Sequence, residues 1–154
     1  MKPAKGNHQL RIGRHSESGR IYLLTASVEH RQPLFLNFDL ACAAIRAFTS
    51  DQAMRDNELL CWVLMPDHVH WLVQLHGDDL SRMAMRLKSL SARAVHQTAG
   101  SGGKLWQRSF HDHALRKEED IKAVARYIVA NPLRAGLARR VGDYPFWDAV
   151  WINN

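Results

Sequence analysis

Two apolar runs joined by a proline and an acid constrain this chain more than any other feature. Leu59-Leu60-Cys61-Trp62-Val63-Leu64-Met65 is followed by Pro66-Asp67, and then by His68-Val69-His70-Trp71-Leu72-Val73-Gln74-Leu75. The first run is continuously apolar and both are short, which suits strands. Pro66 cannot donate to a ladder, and Pro-Asp is turn chemistry. The reading is therefore two strands meeting at a tight connection, not one long strand.

The flanking segments extend this pattern. Ile21-Tyr22-Leu23-Leu24-Thr25-Ala26-Ser27-Val28 reads as an earlier strand, and Pro33 breaks the segment after it. Asn37 or Asp39 can cap a helix whose apolar positions Leu40, Ala44, Ala47 and Phe48 recur at helical spacing. Gly77-Asp78-Asp79 ends the strand pair and caps a helix over about 79–97. That helix has Leu80, Met83, Leu87, Leu90 and Ala94 on one face, and Arg82, Arg86, Lys88 and Arg93 on the other. A loop, Gly100-Ser101-Gly102-Gly103, leads to strand character over 105–115. Glu118-Glu119-Asp120 places acids at the start of a helix over 121–130, favourable with its dipole, and Pro132 stops that helix near Asn131. A last helix is expected over 133–141, with Tyr144-Pro145-Phe146-Trp147 packing back as an aromatic clasp. The element order predicts an α+β, ferredoxin-like split βαβ sandwich: an antiparallel sheet, two covering helices, and an added C-terminal helix carrying Tyr127.

At 154 residues, 46% of them apolar, the chain fits one domain over 21–154 behind a flexible basic lead-in, 1–20. No stretch approaches the roughly 18 uncharged apolar residues of a membrane span, and Met1–Gly6 has no apolar run behind it to make a signal peptide. The expected setting is cytoplasmic, with no membrane partner. Cys42 and Cys61 are too few for a disulfide scaffold and wrongly spaced for a zinc pair, so buried free thiols are expected. Lys and Arg number 21 against 15 Asp and Glu, a net charge of +6, which suits a polyanionic partner without specifying one.

His68 and His70 are the first chemical candidates. Two apart on a strand, they project to one face, close enough to share an ion. Chance alone supplies roughly 0.5 His-x-His pairs in a chain of this histidine content, and a second pair, His111 and His113, exists here. Context favours the first: Val69 between the histidines can face the core, and two half-buried imidazoles need partners. Tyr127 and Asn131, four apart, share a helical face beside Arg126. A phenol can attack phosphorus and an amide oxygen can ligate a hard ion, but a core aromatic and a helix C-cap fit the same spacing. No serine sits in a nucleophile elbow, no cysteine has a neighbouring cation, and the glycine loop is not a phosphate-binding loop.

Met65-Pro66-Asp67-His68-Val69-His70 resembles the HUH motif of single-tyrosine transposases. Leu105-Trp106-Gln107-Arg108-Ser109-Phe110-His111-Asp112-His113 and Tyr127-Ile128-Val129-Ala130-Asn131-Pro132-Leu133-Arg134-Ala135-Gly136-Leu137 resemble later blocks of one branch, the REP-associated tyrosine transposases. The resemblance covers about residues 20–150. It implies a ferredoxin-like nuclease that binds single-stranded hairpin DNA and cuts next to it by tyrosine attack, leaving a 5′-phosphotyrosine and a free 3′-hydroxyl that can later rejoin strands. Carried over, Tyr127 is the nucleophile, and His68, His70 and Asn131 hold Mg²⁺ or Mn²⁺, with no small-molecule cofactor. Asp67 stands where many relatives have Asn, and Leu23 where relatives often carry His, so Leu23 is given no catalytic part. Phosphate contacts are expected from Arg82, Arg86, Lys88, Arg93, Arg108, Arg116, Arg126 and Arg134, and base stacking from Trp106 or Phe110. The resemblance allows a monomer or a homodimer. Two other functions compete: a non-catalytic hairpin-binding regulator of the same fold, and a metal hydrolase using both His-x-His pairs. Neither needs His68, His70 and Tyr127 together.

Overall fold

The computed structural model describes residues 17–116 and 120–153. The hairpin forms as expected. Strands β2 (Glu58–Leu64) and β3 (His68–Gln74) pair antiparallel with Leu64 opposite Val69 and Val63 opposite His70, and Met65 N donates to His68 O at 2.8 Å to close the turn. Strand β1 (Ile21–Ser27) pairs with the free side of β3, and β4 (His111–Ala114) pairs with β1. The five-stranded antiparallel sheet runs β4-β1-β3-β2-β5, where β5 is Trp147–Ala149. Without β5 this is the expected split βαβ order.

Side-chain alternation sorts the strands into two faces. Leu24, Ala26, Val69, Trp71 and Val73 point to one face, covered by helices α1 (Phe38–Phe48) and α3 (Leu80–Ala99) through Phe48, Met83 and Leu87. A short helix, α2 (Asp51–Met54), follows α1. Leu23, Cys61, Val63 and Leu72 point to the other face, against Ala125, Ile128 and Val129 of α4 (Ile121–Val129). Local chemistry starts and stops these helices. The Asn37 side chain accepts from the Asp39 and Leu40 amides, Asp79 from Arg82 N, and Asp120 from Ala123 N. Gly100, at φ +66°, supplies the left-handed residue that ends α3. Both cysteines are free: Cys61 is buried and Cys42 half-buried.

Three expectations are corrected. Within 105–115 only His111–Ala114 is strand, joined by a single bridge between Trp106 and Val28. Lys88 Nζ donates to the Gln107 and Arg108 carbonyls at 2.7 and 3.1 Å, so a side chain rather than a ladder satisfies them. The helix expected over 133–141 is only α5 (Asn131–Arg134), ended by Gly136 at φ +74°, and Pro132 opens this turn instead of only stopping α4. The aromatic clasp packs back, with Tyr144 Oη donating to Leu64 O at 2.6 Å, but Trp147 goes on to start a strand against Cys61–Val63. The expected lead-in falls on residues 1–16, outside the described residues, apart from its last four. Of those, Gly19 N donates to Leu75 O at 2.6 Å. Glu118 and Glu119 also lie outside the described residues.

The basic face of α3 departs from expectation as well. Arg86 bonds Asp78 at 2.6 Å and the Ala53 carbonyl at 2.8 Å, with the paired side chains only 12% and 14% exposed. Burial raises the Asp78 carboxyl, but hydrogen bonds from Arg86 and Asn57 outweigh it and hold the group below its ordinary value. Arg86 and Lys88 therefore tie the fold together rather than wait for phosphates. Arg86→Ala is expected to lower stability by about 3 kcal/mol, because the Asp78 carboxylate is left without its cation. Urea unfolding gives the check: a midpoint unchanged from the unaltered protein would contradict it.

Candidate metal and tyrosine site

The site begins with the pleat of β3. His68, His70 and Leu72 point away from α1 and α3, so both imidazoles sit on the face under α4, with ring centroids 5.0 Å apart and planes at 83°. Each ring is tied at Nδ1. His68 Nδ1 lies 2.7 Å from Asp67 Oδ1, and a carboxylate can only accept, so Nδ1 carries the proton and the Nε2 lone pair is left for a ligand. His70 Nδ1 lies 2.7 Å from Thr25 Oγ1, its neighbour across β1; with the hydroxyl as acceptor, Nδ1 carries the proton and Nε2 is left for a ligand. Burial, then the charges of His68, Arg134 and Arg31, push His70 down to about 4, so it is neutral at neutral pH.

Asp67 is itself held. Arg31 Nε donates to Asp67 Oδ2 at 3.0 Å and its NH1 group to Ser27 Oγ at 3.0 Å. Burial raises Asp67, and the His68 hydrogen bond with the nearby charges of His68 and Arg31 outweighs it, leaving the carboxyl below its ordinary value. Arg31 reaches this position from a turn in which His30 and Arg31 both adopt positive φ, +56° and +53°. Two successive non-glycine residues in that region are strained, and the surrounding contacts hold them there.

Asn131 Nδ2 donates to Ile128 O at 2.8 Å, which commits the amide nitrogen and leaves its oxygen as the available acceptor. Three residues on, the Arg134 guanidinium lies 3.8 Å from the centroid of the Tyr127 ring and donates to Tyr127 O at 2.8 Å. The Tyr127 side chain is 65% exposed. Among the described residues no three His, Cys, Asp or Glu side chains cluster to hold a metal. The donor types of His68, His70 and Asn131, two imidazole nitrogens and an amide oxygen, nevertheless suit a divalent ion and would leave positions open. Such a site depends on the groups behind the rings. Thr25→Val keeps the shape but removes the bond to His70 Nδ1, and is expected to weaken Mn²⁺ binding about 10–100-fold. Calorimetric titration with an unchanged constant would count against that role.

The remaining candidates separate by position. Arg126, weakly paired with Asp120 at 3.9 Å, and Arg134 lie on helices of the histidine face. Arg108 and Arg116 are exposed on either side of β4. Arg82 and Arg93 are exposed on α3, which covers the side of the sheet opposite the histidines. Trp106 is corrected outright. It is 4% exposed, packs on Phe35 and Trp71, and donates to Ser91 Oγ at 3.0 Å, so it cannot stack on a base; Phe110 is likewise core. Thr25, Ser27 and Arg31 escaped the sequence reading. Only strand register could have shown Thr25, and the turn that delivers Arg31 contains no glycine to mark it.

A split βαβ sheet with paired histidines on its central strand and a tyrosine helix over the same face is the architecture of a DNA transposase. The chain belongs to the family described as Transposase IS200 like, whose model matches residues 20–131. It is 28% identical over 137 residues to the REP-associated tyrosine transposase of Escherichia coli (strain K12), covering 86% of this chain and 78% of that protein. The structure of a REP-associated tyrosine transposase bound to a REP hairpin superposes with a TM-score of 0.66 at 27% identity, over 87% of this chain and 79% of the other. A crystal structure from Deinococcus radiodurans R1, 23% identical with a TM-score of 0.55, shares the fold over 77% of this chain and 95% of its own length. No helix among the described residues is long and apolar enough to cross a membrane.

Proposed function

We propose that this chain cuts and rejoins single-stranded DNA beside a hairpin, with Tyr127 as the nucleophile and a 5′-phosphotyrosine as the intermediate. One observation carries the reading. Of the three tyrosines, Tyr22 is 1% exposed and Tyr144 spends its hydroxyl on Leu64 O, whereas Tyr127 stands exposed on the helix over the histidine face. Burial also pushes the Tyr144 phenol up to about 12, which disfavours its phenolate.

His68, His70 and Asn131 would hold Mg²⁺ or Mn²⁺, which supplies charge neutralisation at a non-bridging phosphate oxygen. The chain's own groups do the rest. Asp67, and Thr25 with its hydroxyl as acceptor, would keep the two Nε2 atoms available, and the Arg134 guanidinium stacks on the Tyr127 ring. The phenol oxygen attacks phosphorus and the 3′-oxygen leaves. The phosphotyrosine conserves the ester's bond energy, so a 3′-hydroxyl can reverse the step and join strands. The E. coli relative's name and the hairpin in the related complex support the substrate class. The test is to incubate the protein with single-stranded hairpin DNA from its own genome and Mn²⁺, and to look for a covalent band in denaturing gels. Hairpin binding without any covalent band would favour the regulator of the same fold.

A further inference from the structure

We infer that His111 is the general acid that protonates the departing 3′-oxygen, an inference that rests on the Tyr127 reading above. In-line displacement places nucleophile and leaving group on opposite sides of phosphorus. The sheet order supplies those two sides. Helix α4 lies over β2, where Cys61 Sγ is 3.9 Å from the Ala125 carbonyl, so the backbone that carries Tyr127 sits on the β2 side of His70. On the other side the register runs from His70 to Thr25 on β1, and from Thr25 to His111 on β4. Residues directly opposed in antiparallel strands project to the same face, so His111 shares the face of Thr25 and His70.

Two strand spacings put His111 about 10 Å from His70 across the sheet. A phosphate seated over His68 and His70 therefore has Tyr127 on one flank and the exposed His111 imidazole on the other. His113 lies one row away, opposite Leu23, beyond the row that contains His70. In the step, the Tyr127 Oη–P bond forms and the P–O3′ bond breaks. Its electron pair stays on O3′, which takes the proton from the His111 imidazolium. The phenol proton passes to solvent water, from which His111 recovers its own.

The test compares two hairpins cut at the same mapped phosphate, one all-oxygen and one with sulfur in the 3′-bridging position. A thiolate leaves without a proton. His111→Gln should slow the all-oxygen substrate about 10²–10⁴-fold, yet cut the sulfur substrate at nearly the rate of the unaltered protein. Equal slowing on both substrates, or none on the oxygen substrate, would overturn the assignment. Tyr127→Phe serves as the control: an adduct from that variant on either substrate strikes the nucleophile reading itself, separately from His111.

Discussion

Tyr127→Phe is expected to eliminate the covalent protein–DNA band while leaving fold and hairpin affinity within about twofold of the unaltered protein. The side chain is 65% exposed, and among the described residues no hydrogen bond of its hydroxyl holds the fold, so removing that oxygen leaves no buried group unpaired. The ring that Arg134 covers is still present in phenylalanine, so the end of α4 keeps its contact. Salt dependence of hairpin binding should also be unchanged, because a phenol neutralises no phosphate and releases no counterion. Gel analysis of the adduct and a titration of labelled hairpin give the two readouts. A persisting adduct would move the nucleophile elsewhere, and neither Tyr22 in the core nor Tyr144 at Leu64 is placed to take over.

The second large effect concerns the ligand pair. His68→Ala or His70→Ala should each abolish detectable Mn²⁺ binding at micromolar protein and remove cleavage with it, a greater loss than the roughly 10–100-fold expected when an outer partner is lost. Two donors left on a site without a third acidic or imidazole group among the described residues hold a divalent ion weakly. The variants should differ in stability. His70→Ala empties a half-buried position beside Thr25, whereas His68→Ala leaves Asp67 still bonded to Arg31. Calorimetry with Mn²⁺ alone separates metal loss from DNA loss, and full cleavage in excess chelator would sink the metal assignment.

Much of this architecture is local, and that part is readable. Alternation across His68-Val69-His70 puts both imidazoles on one face whatever the rest of the chain does. Asn37, Asp79 and Asp120 announce helix starts because capping needs only the next three residues. What escaped depends on partners distant in the chain. Trp147–Ala149 is a strand only because the edge of β2 is there to pair with. Trp106 looks like a base-stacking platform until Phe35, Trp71 and Ser91 close around it. Arg86 looks like a phosphate contact until Asp78 takes it. Thr25 becomes meaningful only once β1 lies beside β3 in a register that no single strand specifies. The fifth strand and the groups behind the ligands are therefore properties of the assembled sheet, not of any segment.

The central place of β3 divides the molecule by how its parts come loose. Its amides and carbonyls are paired on both sides, to β1 and to β2, with one face sealed by two helices. Such a strand exposes its backbone to solvent exchange only when the whole domain opens. Tyr127 occupies the opposite extreme, an exposed side chain in the last turn of a nine-residue helix that rests on one patch of the sheet. On the proposed mechanism the two imidazoles that would hold the ion ride on the strand most deeply locked into the sheet, and the nucleophile rides on a helix tied to it by a single apolar patch.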